Sequence, residues 1–141
     1  MGRNPRPFVP GGPYHLTAHG TDDRPIFVDD AAIRDRWLLH AVCLLGTHYH
    51  LVVQPSRDLS SGMRVLNGAH SRFFTRRHER RGALFESRYF ERTIRDVEHL
   101  AIAVTYVHNN PVEAGLVDDP SDWSWSTYPG CALRELLSVC A

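Results

Sequence analysis

The chain contains no lysine, so its basic side chains other than histidine are all arginines, of which there are 16. It also lacks any apolar run near the roughly 18 residues that a membrane-spanning helix needs, so the sequence predicts no such helix. Cysteine is scarce: Cys43, Cys131 and Cys140 are odd in number and lack the short spacings of a metal site. We therefore expect reduced thiols in a cytoplasmic protein, with Cys43 filling space inside a strand.

The sequence has neither an internal repeat nor a linker that would divide it. With 141 residues and 43% apolar composition, it is long enough to bury the core of one domain. Residues 1–12 are rich in proline and glycine, which predicts an irregular basic arm. We place the domain at residues 13–130 and a C-terminal tail, with room for a short helix, at residues 131–141.

Positive charge is concentrated in the middle of the chain, although the formal net charge is zero. Between residues 57 and 95 there are ten arginines and four acidic residues, a net charge of +6. Arg72, Arg76 and Arg80 recur every four residues and would line one stripe of a helix. Such a stripe has two interpretations: a solvated helix face, or a surface that binds phosphates through bidentate guanidinium groups.

Apolar periodicity predicts four strands, in "YHLTAHG", "LLHAVCLLG", "HYHLVVQP" and "LFESRYFERTI", and a short Asp-capped helix in "DDAAIRDRW". A longer helix is predicted from a serine cap near residues 60–61 to Gly82. Its buried side is predicted to consist of Met63, Leu66, Phe73 and Phe74. The last helix is expected to begin at its cap, Asp96, and to end at Pro111. This order predicts an α+β fold, a sandwich of helices against an antiparallel sheet.

Two histidines lie one residue apart in the third predicted strand. With nine histidines in 141 residues, such a pair is expected by chance about 0.6 times, so the spacing alone proves little. Its setting is more informative, because alternate residues of a strand share a face. His48 and His50 would emerge side by side from one face of the sheet, whereas Tyr49 would point to the other.

The last predicted helix contains a tyrosine outside its apolar stripe. At about 100° per residue, the predicted core stripe consists of Val97, Leu100, Ala101, Val104 and His108. Tyr106 falls on the opposite side, with Asn110 on its own face and His99 about two turns earlier. Tyr106 is therefore either surface decoration or part of a site. Asn110 also has two interpretations, because it precedes proline and could cap a short helix that starts at Pro111.

Together, these groups suggest chemistry on a phosphate. Two imidazoles and one oxygen ligand suit a divalent ion with open positions, which can polarise a phosphoryl oxygen. A tyrosine hydroxyl attacks phosphate poorly unless the phosphate becomes more electrophilic and the developing phenolate is stabilised. A metal ion and nearby arginines would supply these two effects. The combination fits covalent phosphoryl transfer on nucleic acid.

From Tyr14 to Tyr128, the sequence resembles the REP-associated tyrosine transposases, which are single-tyrosine HUH transposases of the insertion-sequence type. The resemblance rests on "YHLTAHG", "HYHLVV", "LNGAHSRFFTRRH", "GALFESRYF", "YVHNNPVEAGLV" and "DWSWSTY", in that order. The most specific part is "NPVEAGLV" followed by "WSWSTY". The chain departs from the family at residues 45–47, where Leu-Gly-Thr replaces the usual Met-Pro-Asn, so we expect different support for the first histidine.

The resemblance implies a ferredoxin-like sheet and a role for each candidate residue. His48, His50 and Asn110 would hold Mg²⁺ or Mn²⁺, and Tyr106 would be the catalytic nucleophile. The activity implied is that of a sequence-specific endonuclease and strand transferase, which acts on single-stranded DNA folded as a hairpin and forms a 5′-phosphotyrosine intermediate. We expect the protein to be a monomer or homodimer without a membrane partner. The arginines predicted to contact DNA are Arg72, Arg76, Arg77, Arg80, Arg81 and Arg88.

Two alternatives stay open at this point. In the first, the chain is a domesticated or degraded transposase that binds DNA without cleaving it. In the second, it is a small metal-binding domain whose arginines are only solvated surface. Salt-dependent affinity for single-stranded DNA separates the second from the others, and a covalent protein-DNA adduct identifies the active transposase.

Overall fold

We describe residues 12–19, 37–55 and 58–131 of the chain in a computed structural model. They form β1 (Tyr14–His19), β2 (Trp37–Leu44), β3 (His48–Pro55), α1 (Leu59–Arg77), β4 (Phe90–Thr93) and α2 (Val97–Glu113). The strands make one antiparallel sheet in the order β2-β3-β1-β4. The predicted helix in "DDAAIRDRW", nearly all of the basic arm and the last ten residues lie outside the described ranges.

One face of the sheet packs against α1. Alternation in β1 buries Tyr14, Leu16 and Ala18 on this side, and Tyr49, Leu51 and Val53 of β3 lie beside them. From α1, Met63 and Phe74 complete the cluster. The Tyr49 hydroxyl hydrogen-bonds the Asn67 side chain, so this tyrosine turns away from the histidines as strand alternation predicts.

The opposite face packs against α2. Its core contains Ala41, Cys43 and Val52 from the strands and Ala103 and Val107 from the helix. Full burial of a valine side chain such as Val52 or Val107 contributes about 1.5–3 kcal/mol. The sheet therefore lies between two helices, and the predicted α+β fold with helices against an antiparallel sheet is confirmed. Cys43 is buried in β2, and burial raises the pKa of its thiol to about 12.

Both ends of α1 differ from the prediction. Asp58, rather than a serine at 60 or 61, caps the helix, since its carboxylate accepts hydrogen bonds from the backbone N–H groups of both serines. The helix ends at Arg77 rather than near Gly82, because the chain turns at Glu79, whose φ is 50°. The predicted i, i+4, i+8 arginine stripe thus stops at Arg76, and Arg80 lies beyond the helix.

The burial predicted for the aromatic residues is also only partly right. Phe74 is in the core, but Phe73, one position away on α1, is 38% exposed because the buried stripe is narrower than predicted. The fourth strand covers only Phe90–Thr93. Residues 84–89 before it do not form a strand, although Phe85 makes a single β-bridge and the Glu86 N–H donates to the His19 carbonyl at 3.1 Å.

Asp96 caps the start of α2 as predicted, since its carboxylate accepts a hydrogen bond from the His99 N–H at 2.7 Å. It does not end at Pro111, which was the prediction, but continues to Glu113. Pro111 lies in the last turn, where it removes one backbone hydrogen bond to the preceding turn, and its ring is fully buried. Asn110 is consequently inside α2 and does not cap a second helix.

The segment after α2 covers the outer edge of β2. The Leu44 N–H donates to the Trp125 carbonyl at 2.8 Å, and the Thr127 N–H donates to the Val42 carbonyl at 3.0 Å. His108, predicted for the core stripe of α2, is partly buried and hydrogen-bonds the Thr127 hydroxyl at 2.9 Å. Throughout the described ranges, no helix combines the length and apolarity required to cross a membrane.

Candidate active site

A cluster of four histidines occupies the sheet face that α2 covers. On β1 and β3 the register places His19 opposite His48 and Thr17 opposite His50. The His48 and His50 rings are 5.1 Å apart between centroids, so they lie side by side as strand alternation predicts. The His19 ring stacks on His48 at 4.6 Å, and the His15 ring lies 5.3 Å from His50.

His50 is the most enclosed residue of this histidine cluster. It is 5% exposed, and burial lowers its pKa to about 3, with His15, His48 and His19 adding to the effect. A hydrogen bond with Asn110 opposes the shift without reversing it. At neutral pH the His50 imidazole is therefore uncharged, which is the form that binds a metal ion.

The Nδ1 atoms of the two central histidines are held by neighbouring side chains. His50 Nδ1 lies 3.1 Å from His15 Nε2 and 3.2 Å from the Thr17 hydroxyl. His48 Nδ1 lies 3.1 Å from the Thr47 hydroxyl. Metal-binding histidines commonly use one nitrogen for such a bond and the other for the ion. Thr47, which lies in the departure noted at residues 45–47, thus supports His48.

Tyr106 reaches the histidine cluster from α2. Its ring meets His15 and His50 edge-on, with centroid distances of 5.6 Å and 5.8 Å, and it is 50% exposed. The prediction that it lies opposite the core stripe is wrong. The buried positions of α2 include Ala103 and Val107. Around the helix axis, Tyr106 lies about 60° from Ala103 and about 100° from Val107, so it borders the buried side.

The rotation of α2 explains this error. The predicted stripe included Val97 and Ala101, but Val97 is 82% exposed and Ala101 is exposed as well. Because small and aliphatic side chains occur on several sides of α2, periodicity did not fix which side meets the sheet. Packing against β2 and β3 selects the row through Ala103 and Val107, and this turns Tyr106 toward the histidines.

Asn110 lies one turn after Tyr106 and is 7% exposed. Its side-chain nitrogen donates to the Tyr106 carbonyl at 3.5 Å, and its side chain also hydrogen-bonds the His50 imidazole. The amide oxygen is thereby presented to the histidine cluster. The structure thus brings together four of the predicted site residues: His48, His50, Tyr106 and Asn110.

The donor set determines whether these residues suit a divalent ion. Among the residues placed by the structure, no group of three or more histidine, cysteine, aspartate or glutamate side chains is arranged to hold a metal. Two neutral imidazoles and an amide oxygen do form a possible donor set, with the remaining positions left to water or substrate oxygens. The residues therefore fit a weakly held Mg²⁺ or Mn²⁺, and they do not fit a closed structural site.

The predicted DNA-binding arginines are not part of the histidine cluster. Arg72, Arg76 and Arg77 are exposed on α1, on the other side of the sheet. Arg81 is exposed beyond that helix, whereas Arg80 is partly buried and stacks over the Phe74 ring at 5.9 Å. Arg88 donates to the Ser60 hydroxyl at 3.1 Å and lines a groove of about 630 Å³ beside α1.

Sequence reasoning missed His15 and Thr17 as neighbours of the candidate metal ligands. The signal was present in "YHLTAHG", because a strand there places His15, Thr17 and His19 on one face. It could not be used without the pairing of β1 with β3, which is a contact between distant parts of the chain. Arg92, opposite His15 on β4, was missed for the same reason; after burial, its charge is the main factor that lowers the pKa of His15.

Comparisons with known proteins identify relatives of this chain. The family model described as IS200-like transposase matches residues 22–110, which include all four of the assembled residues. A putative REP-associated tyrosine transposase of Haemophilus influenzae is 30% identical in an alignment of 100 positions that covers 62% of this chain and 57% of that relative. The chain thus matches little more than half of the relative's length.

A solved structure provides a comparison of the fold. The structure of a REP-associated tyrosine transposase bound to a REP hairpin matches with a TM-score of 0.69. The match covers 96% of this chain and 88% of that chain, at 22% sequence identity. At this identity, the similarity shows a shared fold.

Proposed function

Because this chain belongs to the IS200-like transposase family, we propose that it cleaves and rejoins single-stranded DNA with Tyr106 as the nucleophile. The observation that supports this most strongly is the position of Tyr106, whose ring contacts two histidines of the cluster while half of its surface stays open to a substrate. A tyrosine that only filled space would be buried in the row of Ala103 and Val107. The substrate we propose is hairpin DNA, in view of the hairpin bound by the structural relative.

In the proposed reaction, the Tyr106 oxygen attacks the phosphorus of a phosphodiester, and the phenol proton passes to solvent. The bond from phosphorus to the 3′ oxygen breaks, and that oxygen takes up a proton and leaves as a free 3′-OH. The phosphate stays on the protein as a 5′-phosphotyrosine. Because one ester replaces another, a second 3′-OH can reverse the step and join a new strand without an external energy source.

The residues around the histidine cluster prepare it for this reaction. His48, His50 and Asn110 would hold Mg²⁺ or Mn²⁺, which neutralises phosphate charge and makes the phosphorus more electrophilic. Hydrogen bonds to Nδ1 orient both imidazoles before substrate arrives, and Asn110 links the cluster to the backbone of Tyr106. Such preorganisation supplies most of the barrier reduction in phosphoryl transfer.

The test is a covalent adduct assay. The protein is incubated with a labelled DNA hairpin bearing single-stranded flanks and Mn²⁺, and adducts that survive denaturation are resolved by electrophoresis. We expect a shifted band with metal and none with excess chelator. Binding without an adduct would favour the alternative of a transposase that binds DNA without cleaving it, and no binding at all would favour the small metal-binding domain.

We also expect His15 to position His50. Replacing His15 with phenylalanine removes one of the two partners of His50 Nδ1, and loss of such a partner typically weakens metal binding by about 10- to 100-fold. The affinity for Mn²⁺, measured by the paramagnetic resonance signal of the free ion, should fall within that range. Glutamine at position 15 retains a hydrogen-bonding group and should recover part of the affinity. Unchanged affinity in the phenylalanine variant would contradict this role.

The exposed arginines of α1 should contact DNA backbone, since phosphate contacts position nucleic acid without reading its sequence. Replacing both Arg72 and Arg76 with glutamine should weaken binding equally for all sequences. It should also reduce the slope of log affinity against log salt by about 0.7 per lost contact with a single strand. The double lysine variant preserves charge and should retain that slope. If the glutamine variant binds like the parent, these arginines are only solvated surface.

A further inference from the structure

An exposed aromatic side chain stands at the edge of the sheet, on the same face as Tyr106. Phe90 begins the edge strand β4 and is 60% exposed, whereas Tyr89 before it is 4% exposed and belongs to the core under α1. In the register of β1 and β4, Phe90 is opposite Thr17 and Arg92 is opposite His15. Directly paired residues point to the same side of a sheet, so Phe90 and Arg92 share the face of the histidine cluster.

Both residues lie one strand away from groups that contact the cluster's centre. Thr17, the partner of Phe90, has its hydroxyl 3.2 Å from His50 Nδ1. His15, the partner of Arg92, has its ring 5.6 Å from Tyr106. Neighbouring strands are about 4.8 Å apart. The backbone positions of Phe90 and Arg92 therefore lie about the length of one nucleotide from the residues around Tyr106.

The chemistry of this pair favours one ligand. An exposed phenylalanine ring offers a flat apolar surface, and every nucleic-acid base has a matching face that can stack on it. Arg92 is exposed, and its positively charged guanidinium group can bind a phosphate through charge-assisted hydrogen bonds. Glu91, the acidic residue between them, alternates to the α1 side of the strand. A double helix could not use this surface, because its bases are already stacked on one another.

We propose that Phe90 and Arg92 form a binding subsite for an unpaired nucleotide next to the scissile phosphate, with the base stacked on Phe90 and its phosphate bound by Arg92. The proposal rests on the proposed function, since it names the part of the DNA that this face receives. In this arrangement, β4 holds the single strand extended across the edge of the sheet toward Tyr106.

The test compares two DNA molecules that share one hairpin, one with a single-stranded flank and one blunt. Replacing Phe90 with alanine should weaken binding of the flanked hairpin by roughly tenfold or more, the typical effect of losing one stacked base. Binding of the blunt hairpin should not change. The Phe90→Tyr variant keeps an aromatic ring and should bind the flanked hairpin like the parent. The Arg92→Gln variant should reduce the dependence of affinity on salt concentration for the flanked hairpin and leave it unchanged for the blunt one.

A matched control is available on the opposite edge of the sheet. Leu38 of β2 is 59% exposed, so Leu38→Ala removes a similarly exposed apolar side chain and should leave both affinities unchanged. The proposal is overturned if Phe90→Ala binds flanked DNA normally, if it weakens both DNAs equally, or if it instead lowers the melting temperature because the ring covers another part of the chain. A parent protein that forms the Tyr106 adduct while Phe90→Ala binds normally would refute the subsite and leave the proposed function standing.

Discussion

Replacing Tyr106 with phenylalanine should abolish the covalent protein-DNA adduct while leaving folding and DNA affinity nearly intact. The change removes one oxygen atom, which is the atom that would bond to phosphorus. Because the side chain is half exposed and its ring contacts with His15 and His50 survive, we expect a change in unfolding free energy within about 0.5 kcal/mol. Electrophoresis under denaturing conditions measures the adduct, and thermal unfolding measures the stability.

Tyr128 provides the matched control for this variant. It is partly buried, and its ring packs edge-on against His108 at 5.6 Å, outside the histidine cluster. Tyr128→Phe should therefore form the adduct at the rate of the parent. An adduct in the Tyr106→Phe protein would show that another group is the nucleophile, and mass spectrometry of the linked peptide would identify it.

The second large effect is expected from the two central histidines. Changing His48 to alanine should remove detectable Mn²⁺ binding and slow adduct formation by at least about 100-fold, because metal ions stabilise phosphoryl-transfer transition states by several kcal/mol. The readouts are the paramagnetic resonance signal of free Mn²⁺ and the rate of the adduct assay. His48 is the better test of the pair, since His50 is more deeply buried and its loss leaves a cavity.

His40 is the appropriate control for this experiment. It lies on β2, is partly buried and hydrogen-bonds the Gln54 side chain at 3.3 Å, away from the cluster. His40→Ala should retain both the metal signal and the adduct. If His48→Ala still binds Mn²⁺ with the affinity of the parent, the ion is held elsewhere and the assigned ligands are wrong.

The sequence predicted best what depends on neighbouring residues. Strand alternation placed His48 beside His50 and turned Tyr49 away, and the Asp96 cap marked the start of α2. These features depend on local backbone geometry, which a short stretch of sequence determines largely by itself. The same holds for the general order of strands and helices.

Features that depend on tertiary packing were predicted less well. The side of α2 that meets the sheet, and therefore the placement of Tyr106, depends on contacts with β2 and β3. The contact between His15 and His50 depends on the β1–β3 register, because the two residues are 35 positions apart in the sequence. Helix ends near Glu79 and Pro111 depend on one turn conformation and on the burial of one ring, neither of which periodicity reveals.

The placement of the two helices on opposite faces of the sheet restricts the path of any DNA that meets both of them. A strand that lies against Arg72 and Arg76 on α1 and also reaches Tyr106 must turn around the edge of the sheet, a reversal within a few nucleotides. Duplex DNA is far too stiff for this, with a persistence length of about 150 base pairs. An unpaired strand bends freely at that scale. The stiffness of the double helix would thus confine cleavage to unpaired DNA independently of the base stacking proposed at Phe90.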